Sequence, residues 1–322
     1  MLDRSDRRAA FLHGVRSIFD LSGRTMLDWP LTREPRPRKR ASYTWPIRLA
    51  SRRYLLIASC AALGVTLLVS LVVLVQPARP EVYRIGVITE PGLAYQDSGT
   101  TTRSGFEIDM YRWMSSTTVP KFKFDEFDLN PSQQIDSLRS GRVDVVIGSL
   151  AITDARDELI GFAGPYLNAY QGLLTRSNDP LSAASTLDSF RGRSVCAVSG
   201  STSATNLHGV SGIVDVERIG LSQCVDQLRS GRVDAVAGPQ FALAGFQRAS
   251  AQPSVRITSV AFGALEQYGI GVPLGDSGAC REWTDRIRAF IVSGAWEQFY
   301  IQNFGSEPPP EARPDPNSLL SC

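Results

Sequence analysis

The chain has 322 residues, of which 43% are hydrophobic and 20% are charged. This composition is ordinary for a folded globular protein and excludes collagen-like, coiled-coil and wholly disordered chains. The net charge of +2 hides two oppositely charged parts: residues 1–53 carry 13 Lys and Arg against 5 Asp and Glu, whereas the remainder carries 21 against 27. The two parts meet at an uncharged stretch, residues 54–75.

This stretch is predicted to cross a membrane. A helix of its 22 residues is about 33 Å long, enough for a hydrocarbon core of roughly 30 Å. Eight Lys and Arg lie in residues 33–53 and only Arg79 and Arg84 follow closely, so the positive-inside rule places the N-terminus in the cytoplasm. Cys60 ends a string similar to a bacterial lipobox, but further apolar residues follow it. The pattern favours an uncleaved, single-pass anchor over lipidation or signal-peptide cleavage.

The sequence therefore divides into four predicted segments. Residues 1–53 form a basic, largely disordered cytoplasmic leader, because their Arg- and Pro-rich part cannot bury a core. Residues 54–76 form the membrane anchor, residues 77–306 an extracytoplasmic domain, and residues 307–322 an extended Pro-rich tail.

Strands and helices alternate in the extracytoplasmic domain. The predicted elements, in chain order, are a strand at 82–89, a turn at 90–92, a helix at 105–115, a strand region at 120–127, a strand at Ser194–Val198 and a last helix at 281–304 that breaks near Gly294. Alternation of this kind is typical of an α/β fold.

An internal repeat supports two lobes of similar construction. LRSGRVDVVIG (138–148) recurs as LRSGRVDAVAG (228–238). In each copy a helix is predicted to stop at a left-handed glycine, Gly141 or Gly231, and a buried strand follows at 143–147 or 233–237. The repeated Asp144 and Asp234 are expected to brace the lobes rather than to act as a catalytic pair.

Cysteine and histidine usage limits the chemistry. The extracytoplasmic part contains four cysteines, Cys196, Cys224, Cys280 and Cys322, which predicts two disulfides with three possible connectivities. Its single histidine, His208, is expected in a loop, and no CxxC pair is present. The sequence thus predicts no metal site, no cofactor and no catalytic residue.

Several motifs together resemble one family. GFEIDM, LRSGRVDVVIGSLAITDAR, FAGPY, VCAVSGSTS, GRVDAVAG and EQYGIGVP occur in the order and spacing of bacterial extracellular solute-binding proteins of family 3, the polar amino-acid ABC-importer type. Cys196 and Cys224 with GSTS look most like the actinobacterial glutamate-binding branch. The resemblance implies a type II periplasmic-binding-protein-like α/β fold, with disulfides Cys196–Cys224 and Cys280–Cys322.

The same resemblance implies how the two lobes are joined. Two crossing strands, near residues 173–176 and 268–272, would form a hinge between lobe 1 (82–172 and 270–306) and lobe 2 (173–269). The implied ligand-binding residues lie on both lobes and are Glu90, Tyr95, Ser149, Ala151, Arg156, Ser201, Thr202 and Gln240.

Each implied role rests on the chemistry of an amino-acid ligand. Arg156 occupies the position that binds the ligand carboxylate, and Ser201 and Thr202 begin a helix opposite it. Tyr95 is the aromatic expected against the ligand, and Ser149 stands where the family has a glycine whose backbone lines the site. Glu90 can reach the ligand amine.

Two positions depart from the family pattern. Ala151 replaces a hydroxyl-bearing residue, and Pro239, followed by Gln240, replaces the acidic residue that pairs with the ligand ammonium. Either Glu90 takes over that pairing, or the ligand is a different carboxylate, or ligand binding has been lost.

Three functions follow from these observations. The first is a membrane-tethered protein that binds glutamate, glutamine, aspartate or a related small carboxylate and delivers it to the permease of an ABC importer. The second is a ligand-sensing receptor that signals through its anchor and basic leader. The third, an enzyme on the same fold, is disfavoured because the chain has no additional catalytic domain. Nothing in the sequence indicates nucleic-acid binding.

Overall fold

The computed structural model of the chain describes residues 82–96, 101–249 and 254–320, all within one compact unit that spans residues 78–322. The predicted leader and anchor, residues 1–76, lie outside the described residues. Among the helices at the described positions, none has the length and apolar character needed to cross a membrane.

Strands and helices alternate along the described residues. The strands are β1 Val82–Val87, β2 Tyr95–Gln96, β3 Arg103–Ser104, β4 Lys123–Asp128, β5 Val145–Val146, β6 Gly161–Arg176, β7 Ser194–Val198, β8 Val214–Arg218, β9 Ala235–Pro239 and β10 Val255–Val272. The α-helices are α1 Phe106–Thr117, α2 Gln134–Arg139, α3 Asp154–Asp157, α4 Thr202–His208, α5 Leu221–Arg229, α6 Gln240–Ala249, α7 Ser277–Val292 and α8 Ala295–Phe304. The fold is α/β, as predicted.

Eight of these strands form one mixed sheet, in the order β4-β1-β5-β10-β6-β9-β7-β8. β4, β1 and β5 are parallel and make up the first half of the sheet, and β9, β7 and β8 are parallel and make up the second half. β5 is antiparallel to β10, β10 to β6, and β6 to β9. The strands of the two halves therefore run in opposite directions.

β6 and β10 are long strands, of 16 and 18 residues, that belong to both halves. β6 pairs with β10 from residue 161 to residue 176, and its residues 171–174 also pair with β9 of the second half. β6 thus connects β10 to the second half at residues 171–174. The predicted lobe boundaries stay predictions.

The two copies of the repeat end their helices in the same way. Gly141 and Gly231 have φ values of 70° and 72°, and their N–H groups donate to the carbonyls of Leu138 and Leu228 at 3.1 Å. Only glycine adopts this left-handed conformation without steric cost. The predicted helix stops are therefore confirmed.

The repeated aspartates brace the strands. The Asp144 carboxylate accepts the N–H of Arg84 in β1 at 2.8 Å, and the Asp234 carboxylate accepts the N–H of Ser194 in β7 at 2.9 Å. In return, the N–H of each aspartate donates to the carbonyl of the same partner at 2.8 Å. Both carboxylates thus connect neighbouring strands, as predicted.

Aromatic side chains form the core beside the first half. The buried Phe106 ring of α1 contacts four rings of α7 and α8, from Phe290, Trp296, Tyr300 and Phe304. Each such buried side chain stabilises the fold by about 1.5–3 kcal/mol. The last helix is broken at Gly294, whose φ is 82°, as predicted, although it begins earlier, at Ser277.

One predicted disulfide is confirmed. Cys196 of β7 and Cys224 of α5 are bonded, with their Cα atoms 5.5 Å apart. Cys280 is also disulfide-bonded, and its predicted partner, Cys322, lies outside the described residues.

The C-terminal tail is not simply extended, contrary to the sequence prediction. It contains turns and packs against β6: Asn168 donates its N–H to the carbonyl of Ala312 at 2.9 Å, and Leu320 donates to the carbonyl of Gly164 at 2.7 Å. Ala312 is buried. The tail turns back because this part of β6, without a neighbouring strand beyond β10, offers free backbone groups that need partners.

Candidate functional site

A cavity of about 60 Å³ lies between the two halves of the sheet. Its walls come from the carboxyl ends of β7 and β9, from segments that follow β1, β4, β5, β7 and β9, and from Tyr268 of β10. Ligands of α/β proteins bind beyond the carboxyl ends of the strands. The opposed directions of the two halves thus bring both sets of strand ends to one cavity.

Six of the eight predicted ligand-binding residues line this cavity: Glu90, Ser149, Ala151, Arg156, Ser201 and Thr202. Tyr95 and Gln240 do not line it. Tyr95 pairs with Ser104 in the small β2–β3 sheet, and Gln240 is the first residue of α6. The binding roles of all eight residues stay predictions.

Arg156 presents a cation to the cavity. Thr153 caps α3 by accepting the N–H of Arg156, which positions the side chain. Its guanidinium donates to the carbonyl of Ala151 at 2.8 Å and, across to the second half, to the carbonyl of Gly200 at 3.2 Å. Burial lowers the pKa of Arg156, but an arginine remains charged. Within the described part of the chain no carboxylate forms an ion pair with it, so its remaining N–H donors can serve an anion.

Glu90 presents a carboxyl group to the same cavity. It is buried, and among the described residues its side chain forms no hydrogen bond. Burial, together with the neighbouring Glu107 carboxylate, raises the pKa of Glu90 to about 8. The group is therefore mostly protonated at neutral pH, and a cation beside it would favour its charged form.

Glu107 lies behind this wall in α1. One of its carboxylate oxygens accepts the Ser149 N–H at 2.8 Å and the Tyr166 hydroxyl at 2.5 Å. The other oxygen is buried without a hydrogen bond. Burial raises the pKa of Glu107, against the effect of the two hydrogen bonds. The carboxyl group of Glu107 thus lies behind the cavity wall and acts on that of Glu90, which lines the cavity.

Ser149 has a left-handed backbone, with a φ of 49°, which is unusual for a residue other than glycine. The Glu107 carboxylate holds the Ser149 N–H, while the Ser149 hydroxyl is buried without a partner. The side chain thus adds no hydrogen bond to this conformation. Glycine would adopt the same conformation without steric cost.

Glu266 organises the wall on the side of the second half. Its carboxylate accepts the hydroxyls of Thr202 and Tyr268 at 2.6 and 2.9 Å, and the side-chain amide of Gln171 at 2.8 Å. It also accepts the side-chain amide of Asn206 at 3.3 Å. This network fixes the start of α4 against β6 and β10.

Sequence reasoning missed Tyr268 as an aromatic wall of the cavity. It lies in the EQYGIGVP motif and packs edge-on against Phe241, with ring centroids 4.9 Å apart. A tyrosine at the start of the predicted crossing at 268–272 was the available signal. The cavity adjoins a groove of about 740 Å³, and both share Glu90, Ile88, Pro131 and Leu221.

The two departures from the family pattern both lie at the cavity. Ala151 lines it and uses its carbonyl to hold Arg156. Pro239 lines it as well, and proline carries neither a charge nor a side-chain acceptor. The described side chains that line the cavity therefore include one carboxyl group, that of Glu90, and one guanidinium group, that of Arg156.

Comparisons with known proteins agree with this architecture. The family model of "Bacterial extracellular solute-binding proteins, family 3" matches residues 83–306. The chain is 27% identical over 229 residues to the glutamate-binding protein GluB of Corynebacterium efficiens, covering 68% of this chain and 76% of that protein. It is 26% identical over 219 residues to the ABC transporter glutamine-binding protein GlnH of Bacillus subtilis, covering 67% and 78%.

A solved structure has the same fold. An ancestral arginine-binding protein bound to glutamine superposes with a TM-score of 0.63 at 25% sequence identity. The match covers 71% of this chain and 100% of the ancestral protein.

Proposed function

The chain belongs to the bacterial extracellular solute-binding proteins of family 3, and from that premise we propose that it binds an amino acid or a related small carboxylate between the two halves of its sheet. The observation that carries the proposal is Arg156, a cation on the cavity wall without an acidic partner among the described residues. A ligand carboxylate would complete its hydrogen bonds and balance its charge. Members of this family are solute-binding proteins, so no catalytic role is assigned.

Glu90 is the group that we propose for the ligand ammonium. Pro239 stands where the resemblance implies an acidic residue, and Glu90 is the acidic side chain on the cavity wall. A carboxyl group without a hydrogen-bond partner there is suited to accept an N–H of the ligand. The relatives named for glutamate and glutamine support ligands of this size and class.

Substitution of Arg156 tests this proposal. The purified full-length chain is titrated calorimetrically with glutamate, glutamine, aspartate, arginine and histidine. We expect at least one to bind, and Arg156→Ala to weaken that binding roughly 100-fold, because removal of one partner of a buried charged pair costs about 3 kcal/mol. Arg139→Ala, which removes an exposed arginine of the same half outside the cavity, is the matched control.

Two results would contradict the proposal. If the wild-type chain binds none of these ligands, the cavity is not an amino-acid site. If Arg156→Ala binds as tightly as Arg139→Ala, the guanidinium does not hold the carboxylate.

We further propose that the domain has a type II periplasmic-binding-protein-like architecture, with β6 and β10 as its hinge, and that residues 54–76 tether it to the membrane for delivery of the ligand to an ABC importer. The charge asymmetry around residues 54–75 supports an extracytoplasmic domain.

Uptake of the radiolabelled ligand by cells that carry wild-type or Arg156→Ala chains tests delivery. Unchanged uptake with a ligand-dependent change in gene expression would instead favour the sensor function.

A further inference from the structure

We propose that His208, Asp215 and Glu217 form a binding site for a transition-metal cation such as Zn²⁺. His208 Nε2 lies 2.6 Å from Asp215 Oδ2 and 3.1 Å from Glu217 Oε1. One potential ligand atom from each residue lies within 4.8 Å of the others. None of the three residues lines the cavity described above, so this site does not depend on the proposed amino-acid binding.

Local structure brings the three side chains together. Asp215 and Glu217 are two residues apart in β8, and side chains at that spacing point to the same face of a strand. His208 is the last residue of α4, not a loop residue as the sequence predicted. α4 contacts β8, and its last residue therefore lies over the two carboxylates.

The ligand set selects a class of cation. One imidazole nitrogen and two carboxylate oxygens are ligands that Zn²⁺ accepts, and three protein ligands leave a fourth position for water. Mg²⁺ and Ca²⁺ prefer oxygen ligands alone, whereas imidazole suits Zn²⁺, Cu²⁺ and Ni²⁺. The proposed site is thus one for a borderline transition metal.

The distance between His208 and Asp215 requires only a small adjustment. Ligand atoms around a tetrahedral ion with bonds of about 2.1 Å lie roughly 3.4 Å apart. His208 Nε2 would therefore move away from Asp215 Oδ2 by less than about 1 Å. The His208 side chain is 57% exposed, so its ring has room for this movement and the ion has access.

A second feature of Asp215 supports an ion at this place. Its other carboxylate oxygen, Oδ1, is buried and has no hydrogen-bond partner. The contacts of His208 Nε2 account for Oδ2 and for Glu217 Oε1, but they leave Oδ1 without a partner. A divalent cation bound to this carboxylate would offset the cost of burying an unpaired oxygen.

Calorimetric titration with ZnCl₂ tests the site. The full-length chain is prepared without a histidine tag, stripped with EDTA and dialysed. We expect His208→Gln and Asp215→Asn each to weaken one Zn²⁺ site of the wild-type chain by at least about 10-fold. His13→Gln, which removes the other histidine of the chain, should leave it unchanged, and MgCl₂ should not compete.

Three measurements distinguish the outcomes. The thermal midpoint of each variant in EDTA reports whether it folds, and Glu217→Gln provides a third variant should one of the others not fold. The proposal is overturned if the folded His208→Gln and Asp215→Asn variants bind Zn²⁺ as tightly as the wild-type chain does. It is also overturned if the wild-type chain binds no Zn²⁺. Amino-acid titration of His208→Gln should match the wild type, which separates this result from the test of Arg156.

Discussion

Replacement of Glu90 by glutamine should change how the free energy of unfolding depends on pH. Burial and the neighbouring Glu107 charge raise the pKa of Glu90 from 4.5 to about 8 in the folded chain. The unfolded chain releases this proton near pH 4.5, whereas the folded chain keeps it until about pH 8. Between these values the folded state binds more protons, so its stability falls as the pH rises.

The magnitude follows from the same pKa. Each pH unit within the window lowers the free energy of unfolding by about 1.4 kcal/mol. Between pH 6 and pH 8 the wild-type chain should therefore lose roughly 2–3 kcal/mol through Glu90, with little further loss above pH 8. Glutamine resembles the protonated acid in shape and has no proton to release, so Glu90→Gln should lack this loss.

Urea unfolding followed by tryptophan fluorescence at pH 6, 7, 8 and 9 measures the effect. The difference in unfolding free energy between wild type and Glu90→Gln should grow by roughly 2–3 kcal/mol over this range. Glu158→Gln, at an exposed position after α3, should follow the wild type. Parallel curves for the wild type and Glu90→Gln would refute the reasoning, because they would mean that Glu90 is already ionised at pH 6.

Two further predictions concern stability. Replacement of Cys196 and Cys224 by serine opens a loop of 28 residues and should lower the free energy of unfolding by about 3–4 kcal/mol; an unchanged urea midpoint would contradict this estimate. Ser149→Gly should raise the free energy of unfolding by about 1 kcal/mol, because it relieves a left-handed backbone and removes a buried hydroxyl without a partner. A lower midpoint would show that the Ser149 hydroxyl stabilises the fold.

Local features of the chain were predictable from its sequence. Gly141 and Gly231 end their helices because a left-handed residue is a local requirement that glycine meets. β7 has the predicted bounds, Ser194–Val198, since a short apolar run between turn residues favours a buried strand. The strand predicted at 143–147 is shorter in the structure, Val145–Val146.

The candidate site was only partly predictable. Motif spacing singled out Glu90 and Arg156, which line the cavity, whereas Tyr268 lines it and Tyr95 does not. The raised pKa of Glu90 depends on Glu107, which no motif assigned to the site. Glu107 is itself held by Ser149, 42 residues away, and by Tyr166, 59 residues away.

The physical reason for this division is the range over which each effect acts. Helix stops, turns and short strands follow from the backbone conformations of a few neighbouring residues, so they can be predicted from the sequence. Burial, the charge environment of a carboxyl group and the convergence of His208 with Asp215 and Glu217 depend on how separate elements pack. They appear only once the opposed halves of the sheet bring distant residues together.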